Sequence, residues 1–159
     1  MNVEARLQIL EDLEAIRALK ARYLASCDAK KPDLVRACFA DSEVQIDYGA
    51  IGSFSQADDL VAVYTEIACH EHMVEMHHGV NPQLEITGAD TARGEWDAHY
   101  QLINTQDMTL TQLGGHYWDE YRRTPEGWRI SATRFEVNSS LVLDLGESAV
   151  KRLVAARRI

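Results

Sequence analysis

Apolar positions in the first third of the chain recur in steps of three and four. From Ile9 they fall at Leu13, Ile16, Tyr23, Leu24 and Cys27, which draws one stripe along a long helix. Lys20 interrupts the stripe; its aliphatic stem suits either the rim of a pocket or the helix edge, with the ammonium reaching water. Pro32 and Asp33 open a short helix over residues 34–39, and a brief extended stretch over 43–48 ends at Gly49. Ser55 followed by Asp58 has the form of a capping box. The helix it starts presents Leu60, Val61, Tyr64, Ile67 and Ala68 on one face.

The second half changes period. Four runs, 75–87, 91–104, 109–124 and 128–139, read as long strands. Between them stand the turn sequences Gly88-Ala89-Asp90, Thr105-Gln106-Asp107 and Pro125-Glu126-Gly127. Helices followed by an antiparallel meander predict an α+β fold. Strands this long are expected to carry bends or bulges, and a sheet curved over the first helix makes a cone with an apolar pocket inside. A last stretch, 148–159, has Val150, Leu153 and Val154 as a small apolar face. Its Lys151, Arg152, Arg157 and Arg158 suit a helix C-terminal dipole. With no repeat, low-complexity tract or linker, residues 1–159 read as a single domain.

Composition adds exclusions. The chain is 46% hydrophobic and 26% charged, ordinary for a globular protein. Lys and Arg number 16 against 25 Asp and Glu, a net charge of −9, which argues against nucleic acid and anionic membrane surfaces as partners. No apolar run approaches the roughly 18 residues that span a bilayer. Glu4, Arg6, Glu11 and Asp12 leave no signal-peptide core. Cys27, Cys38 and Cys69 are too few and too scattered for a disulfide framework, so a reducing cytoplasm is the expected setting.

Candidate chemistry centres on Tyr23 and Asp28, near the end of the first helix, and on His77 and His78 in the first long strand. Alternation sends one of the two histidines inward. An inward histidine paired with a carboxylate is a tuned general base, because the carboxylate sets the tautomer and stabilises the imidazolium. Spacing alone does not separate that pair from an aspartate that ends a helix and a locally satisfied strand histidine. Cys69-His70-Glu71-His72 followed by His77-His78 gathers groups that zinc favours. Neither His-Glu-X-X-His nor a Cys-X2-Cys pair occurs, so a solvated loop leading into a strand is expected, with no metal.

Five runs, taken in order, resemble a known family: Tyr23-Leu24-Ala25-Ser26-Cys27-Asp28, Ala37-Cys38-Phe39-Ala40-Asp41, Met76-His77-His78-Gly79-Val80-Asn81-Pro82, Gly115-His116-Tyr117-Trp118-Asp119-Glu120-Tyr121-Arg122-Arg123, and Glu126-Gly127-Trp128-Arg129-Ile130. Together they are similar to the SnoaL-like (polyketide-cyclase-like) branch of the nuclear-transport-factor-like superfamily. The likeness is greatest to its scytalone dehydratase, bile-acid 7α-dehydratase and hexachlorocyclohexane dehydrochlorinase members. The resemblance implies a cone-shaped α+β barrel with N-terminal helices packed on a curved antiparallel sheet. It places the base on His77, its carboxylate on Asp28 and a proton donor on Tyr23, and it puts an arginine of the last strand on Arg134 with a one-residue offset. With Tyr117 inward, Leu113 and Gly115 share its face while His116 and Trp118 lie opposite. The likeness sets Ala98 and Tyr100 inward and His99 outside, and adds Tyr48 to a substrate-binding set of Tyr48, Ala98, Tyr100, Leu113 and Tyr117.

The activity this implies is a cofactor-independent lyase, a dehydratase or related β-elimination enzyme, acting on a small apolar cyclic substrate. An isomerase or cyclase with the same base is the alternative. So is a non-catalytic subunit or ligand-binding protein of the ring-hydroxylating dioxygenase small-subunit type. A homo-oligomer, dimer or trimer, is expected through the outer sheet face that carries His99, His116 and Trp118.

Overall fold

A computed structural model of the chain describes residues 2–146. Helix α1 spans Val3–Asp28, begun by the Asn2 side chain, which accepts the Ala5 N–H at 2.8 Å. It ends in a Schellman motif: Lys31 N–H donates to the Ser26 carbonyl and Lys30 N–H to that of Cys27, with Lys30 left-handed at φ 55°. Helix α2 (Pro32–Arg36) follows, with proline at its first position, where the missing N–H costs nothing. Strands β1 (Gln45–Asp47) and β2 (Ser53–Phe54) flank a short 3-10 turn. Helix α3 covers Ala57–Ala68. The expected capping box is not formed. The N-cap is Gln56 with no side-chain bond, and Asp58 pairs instead with Arg36 at 3.0 Å, which ties α3 to α2.

Four long strands complete the chain: β3 (Met73–Ile86), β4 (Thr91–Asn104), β5 (Thr109–Thr124) and β6 (Gly127–Asp144). The sheet order is β2-β1-β6-β5-β4-β3, antiparallel except where β1 runs parallel to β6. The three helices and the curved, unclosed sheet make the cone-shaped α+β fold. The expected bulges are present, with register shifts between Val80 and Gln83 on β3 and at two places between β5 and β6. The core lies between the helices and the inner sheet face, with Ile16, Leu19, Val35, Phe39, Ile46, Leu60, Tyr121 and Ile130 fully or nearly fully buried. Each such side chain contributes roughly 1.5–3 kcal/mol of hydrophobic stabilisation relative to exposure. The helix expected over 148–159 lies outside the described residues. No described helix is long and apolar enough to cross a membrane.

The second shift on β6 decides which side chains reach the interior. Trp128 and Ile130 face the core, and unbroken alternation would carry that face on to Arg134. The register passes instead from Tyr121↔Ile130 to Glu120↔Ala132, an extra residue that reverses the parity. Beyond it the buried position is Thr133, and Phe135 follows it inward.

Candidate active site

Inside the cone is a cavity of about 260 Å³. Tyr23 and Cys27 reach it from α1, Tyr64 from α3, and Tyr48 from the turn after β1. The sheet contributes Glu75, His77, Ala98, Tyr100, Leu113, Tyr117 and Phe135. The five expected substrate-binding positions are therefore all in its wall. Gly115 lies between Leu113 and Tyr117 on the same face. A Cβ there would sit 2.3 Å from the Phe135 ring, so only glycine lets that ring fold across the strand into the cavity.

The last residue of α1 meets the free edge of the sheet. Asp28 accepts the backbone N–H of His77 at 3.1 Å through each oxygen, a donor that the edge strand β3 would otherwise leave unpaired. Its Oδ1 also lies 2.6 Å from His77 Nδ1. An acceptor at that distance places the ring proton on Nδ1 and leaves Nε2 as the basic nitrogen. Gly79 lets helix and strand approach this closely, since a Cβ there would meet Leu24 at 3.1 Å. The Tyr100 ring tilts against the imidazole with centroids 4.6 Å apart.

Also in the cavity wall, the hydroxyls of Tyr23 and Tyr48 are 2.8 Å apart. Burial pushes both phenols up, reinforced at Tyr23 by Tyr48 beside it, so both remain protonated through the neutral range. The two share two protons over one hydrogen bond, so the second is open to a ligand acceptor or to the neighbouring Thr133 and Cys27. Burial and the adjoining Asp28 push the Cys27 thiol up to about 12, so it is an inert part of the wall.

Two expectations are corrected. Arg134 does not enter the cavity: the reversed parity turns it to the outer face, where it stacks over Trp118 at 4.2 Å and pairs with Glu136 at 3.2 Å. Phe135 takes the inward place. Lys20 neither reaches a rim nor follows the helix edge to water. It is buried, its ammonium 2.7 Å from Asp119, which also accepts from Tyr121 at 2.8 Å and Thr133 at 2.7 Å.

The outer face carries His116, with Nδ1 3.0 Å from Asp97 and Nε2 3.3 Å from Glu95, beside half-buried Trp118. His99 is exposed and stacks on His78, and both also border the cavity. His70 bonds the Glu66 carbonyl at 2.7 Å and stacks on His72. Among the described residues no three His, Cys, Asp or Glu side chains converge as metal ligands.

Sequence reasoning passed over Glu75, which faces the cavity, accepts the Tyr100 hydroxyl at 2.7 Å and forms an ion pair with Lys30. Its position two residues before His77 was the available signal, because i and i+2 share a face of a strand.

The chain matches the SnoaL-like domain model over residues 8–134 and belongs to that family. Its fold is similar to that of hexachlorocyclohexane dehydrochlorinase LinA-type3 from Novosphingobium barchaimii, at a TM-score of 0.77 and 20% identity, covering 87% of this chain and 94% of that one. It is also similar to a candidate scytalone dehydratase from Novosphingobium aromaticivorans, at 0.75 and 17% identity over 94% of each chain. A nuclear transport factor 2-like superfamily protein from Salmonella enterica matches at 0.70 and 18% identity, over 79% of this chain and 90% of that one. At these identities the likeness is one of fold.

Proposed function

We propose that this chain is a cofactor-independent lyase that carries out a β-elimination, a dehydration or a related loss of a leaving group, on a small, largely apolar ring compound. The observation that carries this reading is the 2.6 Å contact of Asp28 with His77 Nδ1 in the wall of a cavity that a phenol pair also lines. His77 Nε2 takes the proton from carbon. The C–H electron pair becomes the new double bond, directly or through an enolate, and the leaving group departs with its own pair. Asp28 holds Nδ1–H and stabilises the imidazolium. The Tyr23–Tyr48 pair gives its spare proton to the departing oxygen or hydrogen-bonds the developing enolate. Positioned acid–base groups contribute roughly 10²–10⁴-fold, and the apolar wall strengthens their electrostatics by keeping water away. Two relatives in fold, a dehydrochlorinase and a candidate dehydratase, are named for eliminations, which supports the reaction class.

Turnover of a panel of cyclic β-hydroxy ketones by wild type, His77→Ala, Asp28→Asn and Arg134→Ala tests the reading. The first two variants are expected to lose about 10²-fold or more, and Arg134→Ala to retain the wild-type rate. Full turnover by both His77→Ala and Asp28→Asn overturns the base assignment. A product isomeric with its substrate overturns elimination in favour of proton transfer by the same base.

A further inference from the structure

One charged pair, of which Glu75 lines the cavity and Lys30 stands behind it, takes no part in that elimination. Glu75 and His77 are two residues apart on β3 and face the same cavity. The Glu75 carboxylate accepts the Tyr100 hydroxyl at 2.7 Å through Oε1 and forms an ion pair with Lys30, the two charged side chains being 7% and 1% exposed. Burying two charges is costly, and an apolar pair of the same volume would hold the wall at least as well. Lys30 reaches its partner from a left-handed backbone conformation, φ 55°, at a helix end where glycine or asparagine is usual. Strain of this kind persists where surrounding contacts enforce it, and it collects at functional sites.

The hydrogen-bond directions say what such a site recognises. A carboxylate in an ion pair only accepts. Tyr100 therefore spends its proton on Glu75 and presents lone pairs. In the same wall the Tyr23–Tyr48 pair has a proton to give. The cavity wall thus offers both kinds of partner, acceptors at Glu75 and Tyr100 beside the base and a donor at the tyrosine pair. We infer that Glu75, charge-balanced by Lys30 and oriented by Tyr100, is a subsite for a neutral ligand hydroxyl. The ring compound then carries one oxygen that accepts from the tyrosine pair and a second, O–H group that donates to Glu75. The inference rests on the cavity being the ligand site, as the elimination reading does, but not on His77 acting as a base.

Calorimetry with dihydroxybenzenes and the matching fluorophenols tests it, because fluorine replaces one hydroxyl at similar size without a proton. Wild type is expected to bind a dihydroxybenzene about tenfold or more tighter than its fluorophenol, as a hydrogen bond to a charged group confers. In Lys30→Met/Glu75→Leu, which replaces both charges with apolar groups, the preference is expected to vanish. Lys30→Met/Glu75→Gln keeps an acceptor for Tyr100 and is expected to show a reduced preference; it decides the matter if the first variant does not fold. Equal affinities in wild type, no binding of any dihydroxybenzene at millimolar concentration, or an undiminished preference in the folded double variants overturns the subsite. His77→Ala separates the two readings. A hydroxyl preference in that variant together with full turnover sinks the elimination and leaves the subsite standing; lost turnover with no preference in wild type does the reverse.

Discussion

The Lys20 ammonium lies 2.7 Å from Asp119 and 3.5 Å from the centre of the Tyr117 ring, and neither charged side chain retains more than 1% of its surface. Burial pulls the ammonium below the usual lysine range, and the Asp119 charge partly restores it. The pair joins α1 to β5 behind the Tyr117 ring, and Tyr121 and Thr133 also donate to the carboxylate. Trp96 extends the network by donating to Tyr121 at 2.9 Å. The arrangement fixes the Tyr117 ring from beneath.

Removing either charge alone is expected to cost about 3–5 kcal/mol, the range for an uncompensated buried ion. Lys20→Met/Asp119→Asn keeps an amide oxygen for Tyr121 and Thr133. Its loss is expected to fall short of the sum of the two single losses by about 1 kcal/mol or more. Urea unfolding followed by circular dichroism measures all three variants. Strictly additive losses would show that the pair does not interact.

The phenol pair acts as a unit, so its deletions should not add. Tyr23→Phe is expected to lower kcat by about 10²-fold, and Tyr23→Phe/Tyr48→Phe little further. Because burial raises the Tyr23 phenol above its ordinary value of 10.0, the acid form persists through that pH. A fall between pH 8 and 9 in the wild-type pH–rate profile that is absent from Tyr23→Phe would overturn the raised phenol, and a wild-type kcat in Tyr23→Phe would remove Tyr23 from the acid role.

Thiol reactivity should follow burial. Cys27 is pushed up to about 12 and Cys38 is also raised, burial being the main cause at both, while Cys69 is only half-buried. Iodoacetamide at pH 8 is expected to add once to the native protein, at Cys69, and at the other two sites only after denaturation. Mass spectrometry of the intact and digested protein reads this directly.

Asp12 supplies an acid-sensitive contribution to stability. Burial alone would raise its carboxyl, but hydrogen bonds from Arg123 at 2.6 Å, Trp128 at 3.1 Å and Gln8 at 3.2 Å outweigh burial and hold it below 3.8. The folded state thus binds this proton less readily than the unfolded chain. Its contribution is complete above about pH 4 and is lost as pH falls below that. Asp12→Asn is expected to flatten the dependence of unfolding free energy on pH between about 4 and 2. Parallel curves for variant and wild type would acquit the residue.

Much of the fold was readable residue by residue. Strands β4 and β5 occupy 91–104 and 109–124, the limits that alternation and turn residues mark out. The stripe on α1 names Ile16, Tyr23, Leu24 and Cys27, which are all buried. Side-chain chemistry set Asp28 and His77 side by side as candidates, the SnoaL-like motif order gave them their roles, and their side chains meet. Ser55 misled because a capping box needs the serine backbone at the N-cap, and the chain begins α3 one residue later, with Asp58 drawn to Arg36.

Periodicity is a local property: each side chain's direction follows from its own backbone dihedrals, so element type, buried face and the inward course of Tyr117 could be read along the chain. Parity beyond a bulge is not local. One extra residue on β6, set by the register of its neighbour β5, turned Arg134 out and Phe135 in. The buried charges are less local still. Lys20 and Asp119 stand 99 positions apart, and a lysine stays on an apolar stripe only if the fold delivers a carboxylate to meet it. Glu75 and Lys30 likewise depend on a helix end docking against a strand edge, a contact between segments that neither segment encodes alone.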